Sequence, residues 1–283
     1  MELGVQGLNA KAVIAPGHTA RLARLAEELG YTSWWAGEHV VLPSPRVPAA
    51  PMEATDPILD PLVHLTFVAA VTTRMRLGTG IIILPQRNPL VLAKQAASLD
   101  VLSGGRLLLG VGAGYLEPEL TAVGVDLATR GSRTDEYLDA MASLWHDPAP
   151  AFHGRHVSFD HVDAHPRPDN VRIVVGGHSP AAFRRAVSRG HGWFGTGGPD
   201  DLPRHLDGLR RAAAEVDRPA HLGQLEITYT QLDPVRLDRA AVDRYAALGV
   251  DRLVVYPLPL TDPDDVARFL EHHAGLGAST PSP

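Results

Sequence analysis

A (β/α)8 barrel with insertion loops after its second strand and before its fifth is the α/β fold this 283-residue sequence predicts. Three observations carry it. Short runs rich in Val, Ile and Leu alternate from Leu3 to about Leu270 with longer stretches whose apolar residues recur at helical spacing, which is the pattern of repeated βα units around a parallel sheet. Eight strand-like runs can be counted, a number that specifies a closed barrel more naturally than an open doubly wound sheet. Hydrophobic residues make up 45% and charged residues 20% of the chain, enough for one large core in a length that single barrels commonly reach. One domain is expected over residues 1–275, with 276–283 as a frayed tail.

The elements follow in order. Leu3–Gly7 is the first strand, and after Thr19 a helix places Leu22, Leu25 and Leu29 on one face before Gly30 stops it. Thr32–Ala36 is the second strand. Six prolines between Pro43 and Pro61 then exclude regular structure, and a loop of that length in a compact domain reads as a lid or binding loop. Met75–Leu84 reads as one long buried strand. Asn88-Pro89 opens a helix carrying Leu92, Ala96, Leu99 and Leu102, which Gly104-Gly105 ends. Arg106–Val111 is the fourth strand, and a helix from Ser132 carries Tyr137, Leu138, Met141, Leu144 and Trp145. After an irregular His-rich insertion, Pro148–Pro168, the remaining strands are Arg172–Val175, Trp193–Gly195, Leu225–Tyr229 and Arg252–Tyr256, with helices opening near Ser179, Asp200, Pro234 and Asp262.

Charge and composition narrow the partners. The 26 basic and 32 acidic side chains leave a formal charge of −6, which gives no general attraction to nucleic acid or an anionic membrane. Cysteine is absent, excluding disulfide scaffolds, thiolate nucleophiles, Cys-bound zinc and iron–sulfur clusters. Met1–Val5 shows no basic segment leading into an apolar one, and no run approaches about 18 apolar residues, so a cytosolic protein is expected.

Candidate site residues gather at strand ends. Gly110-Val111-Gly112-Ala113-Gly114-Tyr115 lacks the last glycine of a dinucleotide-binding fingerprint, and reads instead as a strand end where Gly112 and Gly114 let a planar ligand or another backbone come close. Gly176-Gly177-His178-Ser179-Pro180 passes from a buried strand into a helix, with Ser179 as N-cap, and its free amides suit a phosphate. Gly195-Thr196-Gly197, one unit later, would complete that cradle through hydroxyl and amides. Glu38-His39 ends the second strand, where barrels place catalytic groups, and reads equally as a proton-transfer pair or as structure. Tyr115 and Glu117 are further candidates on the same rim, with Glu119 read as the more solvated of the two carboxylates. His153, His156, His161 and His165 lack a helix-based ligand pattern, so no metal is expected.

The stretch Arg76–Tyr115, with Gly78-Thr79-Gly80, Asn88-Pro89, Ser103-Gly104-Gly105-Arg106 and Gly110–Gly114, together with Arg130–Tyr137 and Val174–Gly177, resembles the luciferase-like monooxygenase superfamily. It looks most like the branch that uses the deazaflavin coenzyme F420. The resemblance implies a barrel holding an isoalloxazine-like ring at its strand ends, supported from behind by a bulge with a cis peptide at Gly80–Ile81, and a phosphate near Gly176, Gly177 and Thr196. Tyr115 stands where several deazaflavin relatives have a glutamate, which puts transfer of that acid role in doubt. Ala113 stands where FMN relatives often have an arginine, which favours the deazaflavin. The implied activity is hydride transfer to or from a small organic substrate under the proline-rich loop, with His39 as proton donor or acceptor assisted by Glu38, and with Tyr115 and Glu117 shaping the substrate side. The alternatives are an FMN-dependent monooxygenase fed by a separate reductase, and a non-catalytic flavin-binding protein. A homodimer is implied as well.

Overall fold

The computed structural model describes residues 1–169, 171–231, 237–257 and 260–277. Eight parallel strand positions close into a barrel: β1 (Glu2–Gln6), β2 (Ser33–Ala36), β3 (Arg76–Thr79) continued by β4 (Ile82–Ile83), β5 (Leu107–Gly112), β8 (Arg172–Gly176), β9 (Gly192–Thr196), β10 (Glu226–Gln231) and β11 (Arg252–Val255). Closure comes from β5, which pairs with β3 at Leu77–Leu107 and with β8 at Leu108–Arg172. Two short strands, β6 (Phe152–His153) and β7 (Ser158–Phe159), form a hairpin inside the His-rich insertion.

The helices are α1 (Pro16–Glu28), α2 (Pro61–Val71), α3 (Pro89–Ser103), α4 (Glu117–Ala122), α5 (Arg130–His146), α6 (Pro180–Arg189), α7 (Leu202–Glu215), α8 (Arg239–Ala247) and α9 (Pro263–Ala274). Four of them start as their side chains dictate. Asp60, Asn88, Ser179 and Asp262 each accept N–H bonds from the first turn of α2, α3, α6 and α9, and each is followed by proline at the first helical position. Gly104 ends α3 in the left-handed conformation at φ 69°. Pro234 and residues 278–283, assigned above to a helix start and a tail, lie outside the described residues.

Strand side chains alternate between two cores. Trp35, Leu108, Val174, Phe194 and Val254 fill the barrel interior, while Trp34, Leu77, Leu107, Leu109, Val175 and Leu253 face the helical ring. Gly78 is glycine because a Cβ there would lie 2.2 Å from the Trp35 ring. Several elements differ from the sequence reading. The expected strand Met75–Leu84 breaks at Gly80–Ile81, which is cis, so β3 and β4 are separate. α4 occupies a segment read as a rim loop, β6 and β7 pair inside the insertion read as irregular, and α2 begins at Pro61, the end of the proline-rich loop, and runs over residues to which no element was assigned.

Three histidines serve the fold as neutral rings. Trp34 donates to Nε2 of His64 at 3.0 Å, the Ile173 amide to Nδ1 of His191 at 3.0 Å, and the Thr196 amide to Nε2 of His178 at 3.0 Å. Burial pushes all three from 6.5 down to about 4, with nearby arginines adding to it at His191 and with His205 and Arg204 adding at His178. Their folded values lie below the unfolded one, so between pH 6.5 and 4 the unfolded chain binds more protons. The stability present above pH 6.5 is therefore lost as pH falls toward 4. The urea midpoint is expected to drop steadily across that window, and His64→Gln to flatten the slope. A midpoint constant from pH 7 to 4.5 contradicts the assignment.

Candidate active site

The C-terminal ends of all eight strand positions converge on one cavity of about 830 Å3, to which they contribute Gln6, Gly37, Gly80, Gly112, Gly176, Thr196, Thr230 and Tyr256. Its mouth is bordered by the proline-rich loop through Pro51, Met52 and Ile58. That loop is tied down at its far end. Leu59 N–H donates to Asn9 O, Lys11 N–H to Pro57 O, and Asn9 Nδ2 reaches both Gly37 O and Leu59 O.

At the back of the cavity the bulge between β3 and β4 is fixed by its neighbours. Gln6 Nε2 donates to Gly80 O at 2.8 Å, and Gly80 N–H donates to Ala36 O at 2.7 Å. The Ile81 side chain then fills the space that side chains at Gly112 and Gly176 would need, since a Cβ at either would lie 2.7 or 2.9 Å from it. These two glycines thus make room for Ile81, and all three line the cavity. Gly114, at φ 77°, clears Ile83 in the same way.

His39 and Glu119 meet on the rim. Nδ1 of His39 lies 2.8 Å from Oε2 of Glu119, whose side chain is fully buried, and Oε1 of Glu119 accepts the Val40 amide at 2.6 Å. With Nδ1–H given to the carboxylate, the neutral ring keeps Nε2 as an acceptor, and the described residues offer that nitrogen no partner. Tyr115 meets the ring edge-on at 6.4 Å, and burial together with the Glu119 charge raises its phenol. Glu117 is exposed on the opposite side of α4 and does not line the cavity. The expected ranking of the two glutamates is therefore reversed.

Glu38 does not assist His39. Its buried carboxylate accepts the Ile83 amide at 2.6 Å and Nε of Arg87 at 2.8 Å, and Arg87 reaches on to Asp60, the cap of α2, at 2.6 Å. Burial raises the Glu38 carboxyl against the pull of the Arg87 charge. The three side chains join the end of β2, the bulge and α2 into one frame behind the site.

At the other end, the amides of Gly177, His178 and Ser179 donate to no acceptor among the described residues, and Ser179 Oγ caps Ala182 N–H at 3.2 Å. The second wall is narrower than expected. The Thr196 amide is spent on His178, that of Gly197 on Thr230 O and that of Gly198 on Asp201, so only the Thr196 hydroxyl remains. Gly195 and Gly197 do not line the cavity; they accommodate the Trp193 ring and the Tyr229 hydroxyl, which a Cβ would approach to 2.1 and 2.8 Å. Two cations missed in the sequence reading line this end. Arg185 is neutralised by Asp135 at 2.8 Å, whereas Arg130, at the start of α5, has no carboxylate partner among the described residues. An Arg-Gly pair opening a helix was the available signal.

These residues suit a flavin-like group. Oε1 of Gln6 is buried without a partner beside the bulge, an acceptor suited to a ring N–H, while Arg130 and the free amides at the start of α6 suit a phosphate. Among the described residues no group of three or more His, Asp or Glu is placed to hold a metal, and no helix is long and apolar enough to cross a membrane.

Known proteins resemble this chain along most of its length. Residues 3–274 match the family model described as luciferase-like monooxygenase. An uncharacterized Mycobacterium tuberculosis protein, Rv0953c, is 33% identical over 266 residues, covering 90% of this chain and 92% of its own. The F420-dependent glucose-6-phosphate dehydrogenase of Kineococcus radiotolerans is 33% identical over 300 residues, covering 93% of this chain and 85% of its own. Among solved structures, the monooxygenase RslO1 from Streptomyces bottropensis superimposes with a TM-score of 0.77 at 23% identity, over 97% of this chain and 98% of that one.

Proposed function

Because the chain belongs to the luciferase-like monooxygenase family, we propose that it transfers a hydride between the deazaflavin coenzyme F420 and a small organic substrate. The observation that carries this reading is the His39–Glu119 pair on the cavity rim. When an alcohol is oxidised, its carbinol C–H bond breaks with the electron pair leaving as hydride, and the hydroxyl proton must go to a base. Nε2 of His39 takes that proton while Glu119 stabilises the imidazolium, and the reverse reaction returns it to the oxygen. When bound, the coenzyme supplies the carbon centre that accepts or returns the hydride. Gln6 and the Ile81 bulge hold its ring, Arg130 and the amides of residues 177–179 hold its phosphate, and the proline-rich loop keeps water from the substrate. Support for F420 comes from the 33% identical F420-dependent relative, which spans 93% of this chain.

Fluorescence titration with F420 and with FMN, followed by anaerobic turnover of an alcohol and ketone panel, tests the reading. F420 binding with oxygen-independent turnover supports it. Binding of FMN alone, with substrate oxygenated only when a reductase and oxygen are supplied, assigns the chain to the monooxygenase activity instead.

The homodimer implied by the resemblance fits the apolar outer face of α2 and α3, where Val63 and Leu102 are 71% and 69% exposed and Phe67 and Val91 accompany them. Val63→Glu with Leu102→Glu is expected to give a monomer by sedimentation velocity where the parent sediments as a dimer. A parent that sediments as a monomer refutes it.

A further inference from the structure

A second cleft, of about 520 Å3, opens between α6 and α7, and His178 lines both it and the large cavity. Pro180, the residue after the helix cap Ser179, also borders it, so the cleft begins where the phosphate end of the site stops. Its floor is tight. A Cβ at Gly208 would lie 2.2 Å from the Phe183 ring, so glycine lets the two helices close over Phe183 and His205. Arg204, Gly208, Arg211 and Glu215 follow one another at helical spacing along one face of α7, and Arg184 faces them from α6.

The charges in this cleft are unbalanced. Three guanidinium groups line it against the single carboxylate of Glu215, which pairs with Arg184 at 3.1 Å. Arg204 makes only an exposed i,i+3 pair with Asp201, and Arg211 has no carboxylate partner among the described residues. In a chain of net charge −6, three arginines facing one carboxylate, the last of them, Arg211, without a carboxylate partner among the described residues, are a local exception. From Arg204 to Glu215 the face extends about 16 Å at 1.5 Å per residue, the reach of several residues of extended chain.

We infer that this cleft binds the acidic tail of the coenzyme, a γ-linked glutamate chain with one free carboxylate per unit, attached through the phosphate. The inference rests on the F420 reading above. FMN ends at its phosphate and has nothing to place there, whereas the F420 phosphate is a diester from which the tail continues. Arg204 meets the first carboxylates and Arg211 the later ones, as exposed ion contacts sensitive to salt.

Fluorescence titration of the intact protein with four probes tests this: F420 bearing about six glutamates, F420 bearing about two, the deazaflavin chromophore without phosphate or tail, and FMN. The long-tailed form is expected to bind roughly two- to fivefold more tightly than the short for each arginine engaged. That preference disappears in Arg204→Ala/Arg211→Ala and in about 0.5 M salt, and persists in Arg210→Ala, whose guanidinium pairs with Asp207 outside the cleft. All three arginines are exposed, so these variants fold. Equal binding of long and short tails to the parent, or a preference that survives the double variant, overturns the tail site while leaving the coenzyme assignment standing. Binding of FMN with no binding of any deazaflavin overturns both.

Discussion

His39→Ala lowers coenzyme-dependent turnover by about 10²- to 10⁴-fold, the range that a positioned proton-transfer group contributes, while coenzyme affinity stays within about twofold. The asymmetry follows from what the imidazole touches, Glu119 and Tyr115, and not Gly80, Ile81, Arg130 or the start of α6. Glu119→Gln produces a smaller loss in kcat. Its amide oxygen still accepts the Val40 N–H, but the charge that stabilises the imidazolium is gone. Stopped-flow measurement of hydride transfer in single turnover separates these effects from product release. Unchanged single-turnover rates in both variants would falsify the role given to the pair.

Glu38→Ala acts on a different link of the chain. Removing one member of a buried ion pair leaves Arg87 without its main counter-charge and costs roughly 3–5 kcal/mol of folding stability. It also frees the Ile83 amide, so the bulge loses a fixing point and coenzyme affinity falls with stability. Adding Arg87→Met removes the stranded charge and is expected to restore part of the urea midpoint but little of the affinity. If Glu38 were instead the partner of His39 in proton transfer, Glu38→Gln would depress turnover at normal stability and affinity. Urea titration alongside the coenzyme titration tells these outcomes apart.

The barrel was legible because each strand is a short apolar run and most helices carry one apolar stripe. α2 was not, because Leu62, Leu65 and Val68 face the core while Val63 and Phe67 are exposed, leaving no polar face for periodicity to find. α4, at six residues, is too short to show a period, and its formation decides which glutamate matters. Residues two apart on a helix point to opposite sides, so burying Glu119 against His39 turns Glu117 to solvent. The helix start at Ser179-Pro180 was readable, because N-cap and proline chemistry is local. The second glycine end misled for the opposite reason: what occupies the amides of Thr196, Gly197 and Gly198 is His178, Thr230 and Asp201, two of them from distant elements. Glu38 likewise finds Arg87 49 residues away.

One carboxylate with two oxygens serves two tenants, the imidazole of His39 and the amide of Val40 from which the proline-rich segment departs. Drift at that root moves the His39–Glu119 contact at once, whereas the stretch from Ser44 to Thr55 answers to neither oxygen. Divergence in substrate range within this architecture should accordingly accumulate at the crest of that segment and spare its base.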